Sequence, residues 1–203
     1  MVSSLVRVLC RGALVLVLTA TDVGASSAGE LVFHIDQRNG TIGFSVNHLG
    51  LFTSQGQFDR FTGILHIDPA HPERTMFTIR IDTTSLEASW DGAAVTMRGP
   101  NFFDVARYPV MTYTSSAVVP MPRQHYAISG VLEVRGVARP EPLDALLLNR
   151  KTDAAHHIED ADFAVSGLLK RSDFGMMTNQ VFISDAVTLH IRVRVELPLP
   201  PDG

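Results

Sequence analysis

Cysteine is almost absent from this chain of 203 residues, which contains only Cys10. Cys10 precedes an apolar run, whereas the lipidated cysteine of an exported lipoprotein follows such a run, so the sequence excludes a lipoprotein. If the residues up to Ala28 are removed, no thiol is left. Disulfides and thiol catalysis are then excluded, and stability must come from a hydrophobic core. An exported domain without disulfides is ordinary in a bacterial periplasm.

Charge and long apolar runs are also scarce. Charged residues make up 19% of the chain and the net charge is −4, with no basic stripe for nucleic acid and no polybasic membrane patch. The run Gly12–Ala20 is too short to span a bilayer comfortably. It follows Arg7 and Arg11 and precedes small residues, which predicts a secretory signal peptide over residues 1–28, cleaved after Ala25 or Ala28. The alternative is an uncleaved anchor, and the expected location is the periplasm.

Motifs for catalysis and metal binding are missing as well. The chain has no HExxH, no His-x-His and no GxSxG. His156 and His157 lie among acidic residues in Asp153–Asp162, but adjacent histidines on an extended chain point apart. That segment is predicted to be a solvated acidic loop, with a metal site as the alternative. We therefore expect no catalytic residues, no metal and no cofactor other than a non-covalently bound ligand.

The chain is rich in segments that predict β-strands, because Val, Ile, Phe, Thr and Tyr recur between Gly, Pro, Asp and Asn. Hydrophobic residues make up 45% of the sequence, enough for a substantial core. The predicted strands are Leu31–Asp36, Thr41–Asn47, Gly56–Ile67, Thr75–Asp82, Val110–Val119, Tyr126–Val134, Leu143–Asn149, Asp162–Leu169 and Ala186–Leu197.

Helix signals are sparse, and the segment Leu86–Tyr108 is predicted to hold a short helical turn that closes one end of a sheet. Short connections between one-sided strands indicate antiparallel pairing. They leave two all-β architectures open: a filled sandwich, or a barrel of about eight strands that can enclose one ligand. Residues 29–197 are predicted to form one domain, and residues 198–203 a frayed tail, because prolines cannot donate to a ladder.

Six motifs in order resemble the bacterial YceI-like family. They are FHIDQRNGTIGFSVNHLG, GQFDRFTGIL, NFFDVARYPVMTYTSS, SGVLEVRGVARPEPL, RSDFGM and ISDAVTLHIRVRVEL, and they extend from about Leu31 to Leu197. The resemblance implies an extended eight-stranded antiparallel barrel of lipocalin-like architecture. It also implies an apolar tunnel for a polyisoprenoid lipid or an isoprenoid-quinone tail, export to the periplasm, and a homodimer.

One stretch departs from the family pattern. Where the family usually has Arg-Asp-x-His-Leu ahead of the Phe-Phe-Asp motif, this chain has Ala93–Met97, AAVTM. The charged pair and the histidine are replaced, so any contact that those groups make with a ligand head group must be made differently here.

The candidate ligand-binding surface consists of apolar residues that share the inward phase of their strands. Each can be a core residue, a ligand contact, or both, because in a barrel that holds a ligand the cavity wall is the core. These residues are Phe44, Val46, Phe61, Leu65, Phe77, Ile79, Ile81, Ile128, Leu132, Val187, Leu189 and Ile191.

Three polar residues are candidates for the tunnel mouth or for bracing it. His48 follows Phe44 and Val46 on the inward phase and is expected to tie the strand end to a loop, or to make a polar contact near the mouth. Arg171 and Asp173 are expected to brace a turn through Gly175, with Phe174 and Met176 pointing inward. The alternative for Arg171 is an oxyanion of a head group, which guanidinium binds well.

Three functions therefore compete. The first is a periplasmic carrier or reservoir for an isoprenoid lipid, in transient contact with the membrane or envelope proteins. The second is an enzyme for a hydrophobic substrate with His48 or Arg171 in its site. The third is an envelope interaction module with a filled barrel.

Overall fold

Antiparallel strands make up most of the structure. It is a computed structural model, and it describes residues 31–68, 71–90 and 92–199. The predicted signal peptide lies outside the described residues. The strands are β1 (Leu31–Asp36), β2 (Gly40–His48), β3 (Phe52–Phe58), β4 (Phe61–Ile67), β5 (Met76–Asp82), β6 (Leu86–Ala88), β7 (Val110–Met121), β8 (His125–Val134), β9 (Val137–Pro140), β10 (Leu143–Asp153), β11 (Ile158–Lys170) and β12 (Ala186–Pro198).

The first four strands are two halves of one long, interrupted hairpin. β2 pairs with β3, with Phe44 opposite Gly56, and β1 pairs with β4, with Ile35 opposite Gly63. The chain keeps its direction across residues 37–39 on one side and residues 59–60 on the other, where the ladder is broken as at a β-bulge. The predicted strand Gly56–Ile67 is therefore divided after Phe58.

Pairing around the sheet returns to this hairpin. The order is β1-β4-β5-β7-β8-β10-β11-β12-β2-β3, with β6 added to β3 and β9 added to β8. When β1 with β2 and β3 with β4 are each counted as one strand, eight strands follow one another and the last, β12, pairs with β2. The predicted antiparallel eight-stranded barrel is confirmed, and a sandwich of two separate sheets is not what the chain forms.

The segment between β6 and β7 closes one end of the barrel, as predicted. A single short helix, α1 (Ala93–Arg98), follows Gly92, and the chain then turns so that the amide of Phe103 donates to the carbonyl of Met97 at 2.9 Å. The Phe103 ring packs edge-on against Phe58, with ring centroids 5.5 Å apart. We call this the capped end; β2, β8 and β11 also finish there.

The opposite end holds the β10–β11 hairpin and the end of β12. β12 reaches Pro198, which pairs with Ile158, and the amide of Leu199 donates to the carbonyl of His157 at 2.9 Å. The ladder thus extends one residue beyond the predicted domain limit at Leu197, Leu199 adds one more hydrogen bond, and the rest of the predicted tail lies outside the described residues. In the described part of the chain, no helix has the length and apolarity that crossing a membrane requires.

Gly130 leaves the space that the Tyr113 ring occupies in the barrel wall. A Cβ at this position would lie 2.4 Å from the Tyr113 ring and 2.7 Å from the carbonyl oxygen of Thr114. The gap that Gly130 leaves in the alternating pattern of β8 is thus filled by the Tyr113 ring from β7.

We expect Gly130→Ala to lower the free energy of unfolding by about 2 kcal/mol or more, because the ring and the neighbouring main chain must both move. Urea denaturation measures the change. Gly43→Ala is the matched control, since its Cβ would meet nothing closer than 3.4 Å, and its effect should stay within about 0.5 kcal/mol. Equal effects of the two substitutions would contradict this account of Gly130.

Candidate functional site

A cavity of about 630 Å³ lies inside the barrel. Its wall is formed mainly by the inward side chains of the strands, which alternate with exposed residues along each strand. All twelve residues of the predicted apolar surface line it: Phe44, Val46, Phe61, Leu65, Phe77, Ile79, Ile81, Ile128, Leu132, Val187, Leu189 and Ile191. Their contact with a ligand stays a prediction, but the structure brings them to one surface.

The alternating sequence pattern did not reveal the part of the wall that comes from the capping segment and from Phe58, the last residue of β3. Met97 of α1 and Phe103 reach the cavity from the segment that caps the barrel, and Phe58 does so where the long hairpin is interrupted. Besides Phe58, the Phe103 ring packs on Phe44, and the centroids of the Phe103 and Phe44 rings are 6.1 Å apart. The apolar pair Phe102–Phe103 was the one available signal, since both side chains line the cavity.

Several of the polar lining residues lie at the two ends. At the open ends of β10 and β11, the Nε of Arg150 lies 3.1 Å from a carboxylate oxygen of Glu159. At the capped end the polar residues include His48, Gln55 and Arg171. An apolar middle between polar ends suits a long hydrophobic molecule whose polar group stays near water.

His48 is the last residue of β2, and the three residues 49–51 connect it to Phe52, its partner on β3. Leu49 and Gly50 have φ of 52° and 71°, and the amide of Leu51 donates to the carbonyl of His48 at 2.9 Å, which is the pattern of a type I′ turn over residues 48–51. The half-buried ring lines the cavity and stacks on Phe52, with centroids 4.5 Å apart and planes within 9°. The geometry supports the predicted place of His48, where the wall ends.

We expect His48→Ala to lower the free energy of unfolding by about 1 kcal/mol, the value of one aromatic stack. Thermal or urea denaturation checks it, with Thr53→Ala, an exposed position on the next strand, as the control. Binding of a tail should persist in both variants. A loss of all binding in His48→Ala with the fold intact would show that His48 does more than close this corner.

Arg171 is nearly fully buried, with 3% of its surface exposed. Its guanidinium donates to three main-chain carbonyls, those of Met176 at 2.6 Å, Ser184 at 3.0 Å and Ile183 at 3.1 Å. Burial lowers the pKa of Arg171, and the Asp185 carboxylate opposes that shift. Because three donors are engaged inside the protein, the geometry supports bracing over contact with a head group.

The acidic residue of this turn differs from the predicted one. Asp173 is exposed, whereas the Asp185 carboxylate accepts from the amide and hydroxyl of Ser172 at 2.9 and 2.7 Å. The carboxylate that braces this turn is therefore Asp185 and not the predicted Asp173. The turn itself ends at Gly175, at φ 75°, as expected.

Phe174 and Met176 fill the capped end from this turn. Phe174 is 1% exposed, both side chains belong to the buried core, and both line the cavity. Their predicted inward orientation is confirmed. Alternate residues of a tight turn can point inward only because Gly175 between them adopts a left-handed conformation that other residues avoid.

A buried tyrosine, Tyr113, forms part of the wall. The Tyr113 hydroxyl donates to the main-chain carbonyl of Glu141 at 3.0 Å, and burial raises the pKa of Tyr113 to about 12. Burial and the nearby Asp173 carboxylate also raise the pKa of Glu141. Tyr113 is thus a neutral, already satisfied group at physiological pH, which keeps the wall apolar.

The stretch that departs from the family pattern, Ala93–Met97, forms most of α1. Ala93, Thr96 and Met97 line the cavity, and Ala93 is fully buried. This part of the capped end is therefore built from small and apolar groups. Arg98, which follows, donates instead to the Leu86 carbonyl and to the Glu87 carboxylate on β6.

Histidines and carboxylates do not converge on a metal site. Across residues 31–68, 71–90 and 92–199, no three His, Cys, Asp or Glu side chains come together in a way that could hold a metal ion. His156 lies in the exposed β10–β11 turn, where its ring is 2.8 Å from a carboxylate oxygen of Asp153. In this segment His156 therefore pairs with one carboxylate at the surface.

Sequence comparison identifies the domain. A model of the YceI-like domain matches residues 33–195. A UPF0312 protein of Pectobacterium carotovorum is 29% identical over 170 residues, which cover 84% of this chain and 88% of that relative. Protein YceI of Escherichia coli O157:H7 is 28% identical with the same coverage.

Solved structures share the barrel. Burkholderia cenocepacia BcnA superposes with a TM-score of 0.70 at 21% identity, covering 79% of this chain and 99% of that one. A YceI protein of Campylobacter jejuni gives 0.64 at 25% identity, covering 70% and 84%. A polyisoprenoid binding domain of Saccharophagus degradans gives 0.57 at 18% identity, covering 84% and 100%. These likenesses show that the chain has the same fold as those proteins.

Proposed function

Because the chain belongs to the YceI-like family, we propose that it is a periplasmic protein that holds a polyisoprenoid lipid or an isoprenoid-quinone tail inside its barrel. The protein would transport or store that lipid, or protect it under stress, without carrying out chemistry on it. Export through the N-terminal segment and pairing into a homodimer belong to the same proposal.

The observation that carries the proposal is the apolar cavity of about 630 Å³ enclosed by one barrel wall. Its volume lies within the range of pockets that bury most of a small ligand. Burial of a tail yields roughly 25 cal/mol per Å², so several hundred Å² can contribute on the order of 10 kcal/mol before ordering costs.

A protein with the same fold supports the proposed class of ligand. The Saccharophagus degradans domain, which is described as binding polyisoprenoid, shares the barrel. In the present chain the polar groups at the cavity ends, such as Arg150 with Glu159, give a ligand head group a place near water. The void itself argues against a filled-barrel interaction module, which requires a packed interior.

Lipid uptake by delipidated protein tests the proposal. The protein is stripped with organic solvent, refolded, and titrated in vesicle-free solution with a prenyl alcohol, an isoprenoid quinone and a straight-chain fatty alcohol of similar length. We expect saturable binding of at least one isoprenoid. Failure of every isoprenoid to bind a folded, delipidated barrel would refute the proposed function.

A further inference from the structure

Exposed apolar side chains gather on one side of the capped end. Leu51 is 80% exposed, Val181 78% and Phe182 61%, and Leu49, Phe52 and Met177 are exposed beside them. The β2–β3 turn and the segment at residues 177–183 adjoin, because Leu49, Gly50, Val181 and Phe182 line one shallow groove. We call this set of six residues the apolar rim.

The two segments of the rim carry no charged residue over long stretches. Between Arg38 and Asp59, and again between Asp173 and Asp185, the sequence has no Asp, Glu, Lys or Arg. Charged groups would be costly in a nonpolar medium, whereas they are ordinary on a surface that meets only water. Arg135 and Arg139 contact the preceding turn, at the carbonyls of Gly175 and Asp173, so charge returns just before the rim segment begins.

Leu49 supports the same conclusion from backbone geometry. It occupies the first central position of the type I′ turn at φ 52°, where Asn or Asp is strongly preferred and a leucine is strained. A residue that costs stability in the turn and is 59% exposed gains nothing inside the fold. An apolar contact outside the fold would offset that cost.

The rim adjoins the cavity. His48, whose ring stacks on Phe52 of the rim, lines the cavity, and so does Ile183, which directly follows Phe182. The segment at residues 177–183 is anchored to β2 directly after its end, where the Ser184 amide donates to the carbonyl of Asn47 at 2.8 Å. The rim is therefore next to the part of the cavity wall that His48 and Ile183 form.

We infer that the apolar rim docks the barrel onto an uncharged lipid bilayer surface, so that the ligand exchanges between bilayer and cavity at the capped end. This inference rests on the proposed function, because it specifies where that site meets the membrane. It predicts attachment through apolar side chains, so that charge on the lipid head groups has little effect.

Vesicle partitioning tests the inference with a matched pair of variants. One carries Leu49→Asn, Leu51→Asp and Phe182→Asp; the other carries Val119→Asp and Met121→Asp, two exposed apolar residues at the opposite end. Both add two negative charges and retain residues 1–48 unchanged, so the N-terminal apolar run contributes equally. Flotation with phosphatidylcholine vesicles measures the bound fraction of each full chain.

We expect the rim variant to lose about tenfold or more in partitioning, since each buried Leu or Phe is worth roughly a tenfold change, while the control stays within about twofold. Raising the salt to about 0.5 M should leave binding of the unaltered protein in place. Leu49→Asn alone should raise the urea midpoint while weakening partitioning, which separates docking from folding.

Several results would overturn the inference. They are no partitioning of the unaltered protein, equal loss in both variants, loss of binding in high salt, and a rim variant that changes only the oligomeric state. Lipid uptake in vesicle-free solution is measured on the same variants. If uptake persists while partitioning is absent, the docking surface fails and the proposed function stands; if uptake itself is absent, the proposed function fails.

Discussion

Replacing Arg171 by Met should lower the free energy of unfolding by about 3–5 kcal/mol, the cost of breaking a buried, hydrogen-bonded charged group. The guanidinium holds three carbonyls of the segment that closes the capped end, those of Met176, Ile183 and Ser184. Methionine keeps an unbranched apolar stem, is shorter than arginine and supplies no donor, so those carbonyls lose their partners where water has limited access.

Urea denaturation of two further variants sharpens the result. Lys170→Met removes the same charge from the adjacent, exposed position and should change stability by less than about 0.5 kcal/mol. Arg171→Lys should recover little, because one ammonium group cannot take the place of a planar fork that reaches three carbonyls. A stable Arg171→Met variant that has lost lipid binding would reverse the assignment and make Arg171 a ligand contact.

Replacing Ala145 by Trp should abolish most lipid uptake by filling the cavity. Ala145 lies on β10, is buried in the wall between Tyr126 on β8 and Val165 on β11, and lines the cavity. An indole at this point occupies space that the tail needs. We expect the affinity for the best isoprenoid to fall by about tenfold or more, since the displaced apolar contact area is large.

The control for that variant is on the other face of the same wall. Ala127→Trp introduces the same side chain on β8, opposite Asp144, where residue 127 is exposed. It should bind lipid as the unaltered protein does. Uptake is compared per mole of folded protein, because overpacking at Ala145 can itself cost about 1–3 kcal/mol. Equal uptake by both variants would place the ligand outside the barrel.

The strand residues of the cavity wall could be predicted from sequence because the alternation of inward and outward side chains along a strand is a local property. Alternation in segments such as Phe77–Ile81 and Val187–Ile191 decides which side chains share a face, and each of those inward residues lines the cavity. The barrel order is not local, and it became predictable only through the resemblance of six motifs to a family. The interruption after Phe58 was missed although the spacing of three between Phe58 and Phe61, both buried, shifts the alternation there.

The polar residues at the capped end were harder to predict. The partners of Arg171 lie as far as Ser184 along the chain, and a carboxylate two residues away in sequence was a natural but incorrect choice over Asp185. Exposed apolar residues such as Val181 and Phe182 carry no periodic signature, since their segment has no regular strand. Only the fold shows that they adjoin the β2–β3 turn.

Native mass spectrometry of the protein, isolated without detergent or organic solvent, tests the central claim most directly. We predict that the folded barrel carries an added mass that corresponds to one isoprenoid lipid or quinone. Solvent extraction should release that molecule, and Ala145→Trp protein should lack it. A folded protein that shows no added mass, and that takes up no isoprenoid after delipidation, would contradict a ligand-holding barrel.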